Sequence, residues 1–159
     1  APAPELPAEL VARAASESRV DLLAAGVTVA SVEVDHVDLL EPESHSGSQR
    51  MWFRADGPLG DDPVLHQAVL TYASDYGLLE ASFNEHGHSF LTEELIIASL
   101  DHAVWFHQPV RADQWMLYVT RSPRTSGGRG LNFGHIYSQD GVLLASVAQE
   151  GLMRIRKPR

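Results

Sequence analysis

The sequence predicts an α+β fold in which an antiparallel sheet wraps around one central helix. Two observations carry that expectation. Residues 61–77 form the one strongly amphipathic helical stretch in a chain whose other segments mostly alternate like strand. The strand-like segments that follow it are joined by short polar turns, which favours antiparallel neighbours.

In chain order, residues 1–8 are rich in Ala and Pro and read as an extended linker. Residues 9–25 carry Leu10, Val11, Ala14, Ala15, Leu22 and Leu23 at modest helical spacing, closed by Gly26. A first strand is expected in 27–40, where Val32 and Val34 alternate with Glu33 and Asp35, and a polar loop in 41–48 around Pro42 and Gly47. Residues 49–55 make a second strand, with Met51 and Phe53 on one face and Arg50, Trp52 and Arg54 on the other.

The central helix then opens with Asp62 as N-cap and Pro63 at the first helical position, where a missing N–H costs nothing. Leu65, Ala68, Val69, Tyr72 and Tyr76 form its apolar stripe, and Gly77 is its C′ residue. Roughly four turns result at about 3.6 residues per turn. Asp75 sits in the last turn, against the negative end of the helix dipole, a placement that costs about 0.3–1 kcal/mol. Such an acid is either a solvated surface group or a carboxylate held at a site.

Residues 78–92 read as irregular and hold Glu85, His86 and His88. A metal centre needs three or four convergent ligands, and solvated loop histidines are the commoner reading. Four strands are expected at 95–107, 115–122, 129–138 and 142–154, as a meander. Asp140-Gly141 is a strong hairpin turn between the last two, and 123–128 makes a looser turn before the third.

A chain of 159 residues fits one domain. Its net charge of −9 argues against nucleic-acid or anionic-membrane partners, which need a basic surface. With no cysteine, disulfides, thiolate catalysis and Cys-based zinc sites all drop out. That composition fits a reducing compartment, and a cytoplasmic location is the expectation.

Alternation then singles out polar residues on apolar faces. In 95–107 both faces are mostly apolar, which predicts a central strand in which Ser99 and Asp101 need partners. Gln149 points where Leu143, Ala145 and Val147 point, and a buried amide costs a few kcal/mol unless it is hydrogen-bonded. It is a satisfied structural glutamine or part of a site. A Ser-His-Asp triad of Ser99, His102 and Asp101 fails on strand parity, which puts His102 on the face opposite Ser99. His102 and His107 read as polar strand members or pocket and interface residues; Asn132, His135 and Tyr137 read as sheet surface.

Three stretches together, Tyr72-Ala-Ser-Asp-Tyr-Gly-Leu-Leu79, Ala98-Ser-Leu-Asp-His-Ala-Val-Trp-Phe-His107 and Ser138-Gln-Asp-Gly-Val-Leu-Leu-Ala-Ser-Val-Ala-Gln-Glu-Gly-Leu-Met-Arg154, resemble the type II acyl-CoA thioesterases in order and spacing. The resemblance runs over about residues 1–156, to the C-terminal half of a family whose chains hold two hotdog domains. It implies a hotdog fold for 27–159, preceded in 1–26 by the connection between hotdogs. It implies a hydrolytic triad at Asp75, Ser99 and Gln149, with Ser99 where many members carry Thr, and no cofactor or metal. Acyl-CoA is the implied substrate, with Trp105 or Phe106 along the acyl chain, and the implied partners are an N-terminal hotdog and further copies. Two rivals stand beside that expectation: a non-catalytic hotdog that supplies scaffold or acyl-CoA binding, and an enoyl-CoA hydratase. The second needs His102 beside Asp75, for which strand parity makes no case.

Overall fold

The computed structural model describes residues 27–31, 48–84, 86 and 95–155. The expected helix in 9–25, the first strand beyond Ser31, most of the 41–48 loop, Glu85 and His88 lie outside the described residues. Among those described, no helix is long and apolar enough to cross a membrane.

Among the described residues, seven strands form one antiparallel sheet. Strand β1 (Val27–Ser31) pairs with β2 (Ser48–Ala55), and β2 pairs with β5 (Met116–Ser126). Then come β6 (Arg129–Ser138) and β7 (Leu143–Ile155). The far side of β7 takes β3 (Leu95–Ser99) and β4 (Ala103–Phe106). Helix α1 (Pro63–Ser74) supplies Leu70 and Ala73 to the core, against Phe53, Met116, Tyr118, Ile136 and Val147 of the sheet. This is the hotdog arrangement that the resemblance implies.

The hairpins follow their turn chemistry. Gly127 and Gly128 both have positive φ (62° and 73°), as a two-residue turn with the right-handed twist of the flanking strands requires. At the next turn Gly141, with φ of 80°, donates its N–H to the Ser138 carbonyl at 3.0 Å.

Several expectations need correction. The 95–107 segment is two strands rather than one, and it lies at the sheet edge; Ile96, Leu100 and Trp105 are each about half exposed. The last segments are therefore no simple meander. The linker 107–115 carries the chain past β7 and β6, and β5 joins β2 instead. Within β5, Pro123 falls between Arg121 and Arg124, where the register shifts, so it sits in a bulge that spares its missing N–H rather than in a turn. Residues 80–84 form a short helix α2 (Glu80–Asn84), whose Ala81, Ser82 and Phe83 are buried on the sheet, where an irregular loop was expected.

A further correction concerns the stripe of α1. Asp62 and Pro63 open the helix as expected, with Asp62 Oδ1 accepting from the Val64 N–H at 2.9 Å. Yet the core side is His66, Leu70, Ala73 and Ser74, while Leu65 and Tyr72 are exposed. His66 can occupy a buried position because both ring nitrogens are satisfied: Nδ1 accepts from the Ala112 N–H at 3.0 Å and Nε2 donates to the Gly60 carbonyl at 2.9 Å. Counting apolar residues alone skips such a histidine and rotates the inferred face.

Two sheet glycines make room for buried side chains next to them. A Cβ on Gly134 would lie 2.3 Å from the Tyr118 ring, and one on Gly151 would lie 2.1 Å from Leu79 Cδ2. Asn132, expected on the surface, is buried instead; its Oδ1 accepts from Ser82 Oγ of α2 at 2.5 Å.

Candidate active site

The site begins where α1 ends. Its last residue is Ser74, and Asp75 is the C-cap with right-handed helical φ and ψ (−77°, −25°). Gly77 follows with φ of 74° and turns the chain toward α2. The Ser74 carbonyl, one of the orphan acceptors of a helix C-terminus, takes the Tyr118 hydroxyl at 2.8 Å. Tyr118 is fully buried in β5, and burial, reinforced by the nearby Asp75 charge, pushes its phenol well above the ordinary range. The end of α1 is therefore fastened to the middle of the sheet by a neutral phenol.

Gln149 approaches from β7, a strand paired on both sides, and is completely buried. Its Nε2 donates to Asp75 Oδ1 at 2.8 Å and to Ser99 Oγ at 2.5 Å. Ser99, the last residue of β3, lies opposite Gly151 and donates its hydroxyl to the same Asp75 oxygen at 3.2 Å. Asp75, Ser99 and Gln149 thus meet on Oδ1, although they are far apart in sequence. Gln149 Oε1 accepts from His102 Nδ1 at 2.9 Å, so three of the buried amide's four hydrogen-bonding positions are filled, both N–H donors among them.

His102 is the group that strand parity misplaced. Ser99 pairs with Gly151 and Ala103 with Ala148. Three residues therefore stand between the pairs on the edge side and two on β7. That extra residue is a β-bulge, a device that re-aims side chains next to sites. Asp101 stabilises it, its Oδ1 taking the Glu150 N–H at 2.7 Å, while the Leu100 N–H reaches the Glu150 carbonyl at 2.9 Å. His102 consequently turns to the Gln149 face. Its Nε2 lies 2.8 Å from Ser74 Oγ and its Nδ1 3.9 Å from Asp75 Oδ1. Two consecutive polar residues in an otherwise apolar strand, Asp101 and His102, were the available signal for the break.

These groups border an open cleft of about 480 Å³ lined by Tyr72, Asp75, Tyr76, Ser99, Leu100, Asp101 and His102. Tyr72 and Tyr76 pack edge to face at one wall, with ring centroids 5.2 Å apart. Asp75 is half exposed toward solvent, with 55% of its side chain accessible. The other residues named from the sequence lie elsewhere: His107 pairs with Ser146 at 2.9 Å on the exposed edge, and His86 meets Thr125.

A curled antiparallel sheet around one helix, with a carboxylate, a hydroxyl and an amide converging at the helix end, defines a hotdog protein with a polar site beside an open cleft. Residues 29–152 match the family model described as acyl-CoA thioesterase, and the chain belongs to that family. It is 42% identical over 118 residues to acyl-coenzyme A thioesterase 8 of Mus musculus, covering 74% of this chain and 35% of that protein. It is 39% identical over 106 residues to acyl-CoA thioesterase 2 of Haemophilus influenzae, covering 67% and 37%. Among solved structures, an acyl-CoA thioesterase II, TesB2, of Mycobacterium marinum is similar with a TM-score of 0.70 and 43% identity, over 85% of this chain and 51% of that one. A hotdog protein of Alicyclobacillus acidocaldarius, 19% identical with a TM-score of 0.61 over 85% of this chain and 47% of that one, shares the fold. The chain spans about a third of the length of the curated relatives it matches.

Proposed function

We propose that the chain carries the hydrolytic site of an acyl-CoA thioesterase, which cleaves a fatty acyl-CoA to the free acid and CoA. The observation that carries this reading is the meeting of Gln149 Nε2 and Ser99 Oγ on one oxygen of Asp75, at 2.8 and 3.2 Å, beside an open cleft. With Oδ1 so occupied, Oδ2 is left to hold a water and take its proton as general base. Ser99 and Gln149 fix the carboxylate that holds this water. The water oxygen bonds to the acyl carbon, the C–S bond breaks, and CoA leaves as thiolate to collect the proton. No acyl-enzyme is formed, in keeping with a chain that contains no cysteine.

The acyl chain lies along the apolar edge near Trp105 and Phe106, and a second hotdog, N-terminal in the same protein, covers that edge. Two observations support this: the edge residues Ile96, Leu100 and Trp105 are about half exposed, and the match takes up only 35% and 37% of two curated relatives. Residues 27–159 are the C-terminal hotdog of the pair, and 1–26 connect the two. Further copies complete the oligomer.

Thiol release from a long-chain acyl-CoA tests the reading, comparing this chain alone with the chain plus the N-terminal hotdog. Turnover is expected in the combination, and Asp75→Asn is expected to lower it by about 100-fold or more. No turnover in either, with both folded, leaves a scaffold or binding role. The second reading, enoyl-CoA hydration, draws on the 3.9 Å separation of His102 and Asp75. Hydration without thiol release would establish it instead.

A further inference from the structure

The side-chain amide of Gln149 has two orientations of nearly the same shape, with oxygen and nitrogen exchanged. An ionised Asp75 only accepts, so the nitrogen must face it. Ser99 does not discriminate, because a hydroxyl can donate or accept with equal ease. The remaining neighbour is His102, whose Nδ1 lies 2.9 Å from Gln149 Oε1. A carbonyl oxygen only accepts, so Nδ1 must carry a proton. In the exchanged orientation that N–H would confront the amide NH2, donor against donor, while the amide oxygen faced the carboxylate.

We propose that His102 is the positioning residue of this site: its Nδ1–H donates to Gln149 Oε1 and selects the orientation that turns Nε2 toward Asp75 and Ser99. The ring is itself held. Its Nε2 lies 2.8 Å from Ser74 Oγ, one residue before Asp75, and with Nδ1 protonated the neutral ring accepts that hydroxyl's one proton; the Ser74 carbonyl is held in turn by Tyr118. His102 therefore joins the edge strand to the helix end and to β7 at once. The bulge at 100–102 is what permits this. The kinetic consequence rests on the hydrolytic reading above; the hydrogen bond does not.

Three substitutions separate orientation from mere filling of space. In Asn the amide nitrogen occupies the place of the His Nδ1; in Gln it occupies the place of Nε2; Phe keeps the ring and removes both nitrogens. His102→Gln and His102→Phe are expected to lower kcat by about 10- to 100-fold, the usual effect of losing an outer hydrogen-bond partner, with KM within about threefold. His102→Asn is expected to restore most of that loss. Equal losses in all three variants, or full kcat in His102→Phe, would overturn the proposal. Nitrogen-15 NMR of histidine-labelled protein gives a reading independent of turnover. An Nδ1–H coupled to a slowly exchanging proton, lost in Gln149→Ala, is expected; a neutral ring protonated at Nε2 overturns the assignment. A protein that releases no thiol but shows the Nδ1–H signal retains His102 as the partner of Gln149 and loses the hydrolytic reading.

Discussion

Tyr118 places its hydroxyl 2.8 Å from the Ser74 carbonyl and so anchors the end of α1 to the centre of the sheet. Asp75 is the next residue, so its position depends on a bond it does not itself make. Tyr118→Phe leaves a buried carbonyl without a partner, and a loss of about 1–3 kcal/mol is expected in urea unfolding. Turnover should fall with it. An unchanged midpoint would show that the helix end is held by packing alone.

The same phenol has a pH signature. Its folded pKa lies above the unfolded value of about 10. The folded state thus holds the proton more tightly, and this contribution is fully present below pH 10 or so and is lost as pH rises beyond it. Stability measured from pH 9 to 11 should decline more steeply in the wild type than in Tyr118→Phe, and the tyrosinate absorbance of this residue should emerge only on unfolding.

Asp113 acts at the other end of the pH range. Hydrogen bonding to Arg111 holds its carboxyl below the ordinary value, although burial opposes this, and the Leu59 N–H adds a further bond at 3.2 Å. Its folded pKa is depressed, so the stabilisation is present above about pH 4, the ordinary Asp value, and is lost as pH falls through the folded one. Asp113→Asn should lower the melting temperature at pH 7 and make little difference near pH 2. A deficit independent of pH would assign the effect to the Leu59 bond instead.

Gly134 gives the sharpest packing prediction. A Cβ there would meet a rigid, fully buried ring at 2.3 Å. Gly134→Ala should cost about 1–3 kcal/mol in denaturant unfolding, the range for overpacking. Gly151→Ala meets only the tip of Leu79, which can swing aside, and should cost less.

How far the sequence reveals this site depends on how regular each element is. From Ala145 onward Gln149 stands in an unbroken alternation along β7, so its burial among apolar neighbours could be read directly. Asp75 was conspicuous because an acid ends a helix bounded by Asp62, Pro63 and Gly77. His102 was not legible, since parity arguments assume an unbroken ladder and one extra residue after Ser99 inverts them. Helix α2 has only five residues, too few to display a period. Pairing of β3 and β4 with β7 is set by non-local contacts that the 107–115 linker does not encode.

The bulge makes its own prediction. Asp101→Ala removes the acceptor for the Glu150 N–H, whereas Asp101→Asn can keep an oxygen there. The alanine variant should lose about 0.5–1.5 kcal/mol, the net worth of one hydrogen bond, and turn over more slowly. Equal behaviour of the two variants would remove Asp101 from the account of the bulge.

Two of the four groups that meet at Oδ1 and the amide, Ser99 and His102, belong to a strip with β7 on one side and no strand on the other among the described residues. Gln149 belongs to a strand paired on both. Opening that strip breaks far fewer contacts than unfolding the domain, and such local openings have their own, smaller free energies. On the hydrolytic reading, competence is an equilibrium within the native ensemble, and the rate scales with the fraction of molecules whose edge is closed. A partner that binds the closed edge better than the open one raises that fraction, and so acts as an activator without touching a reacting atom.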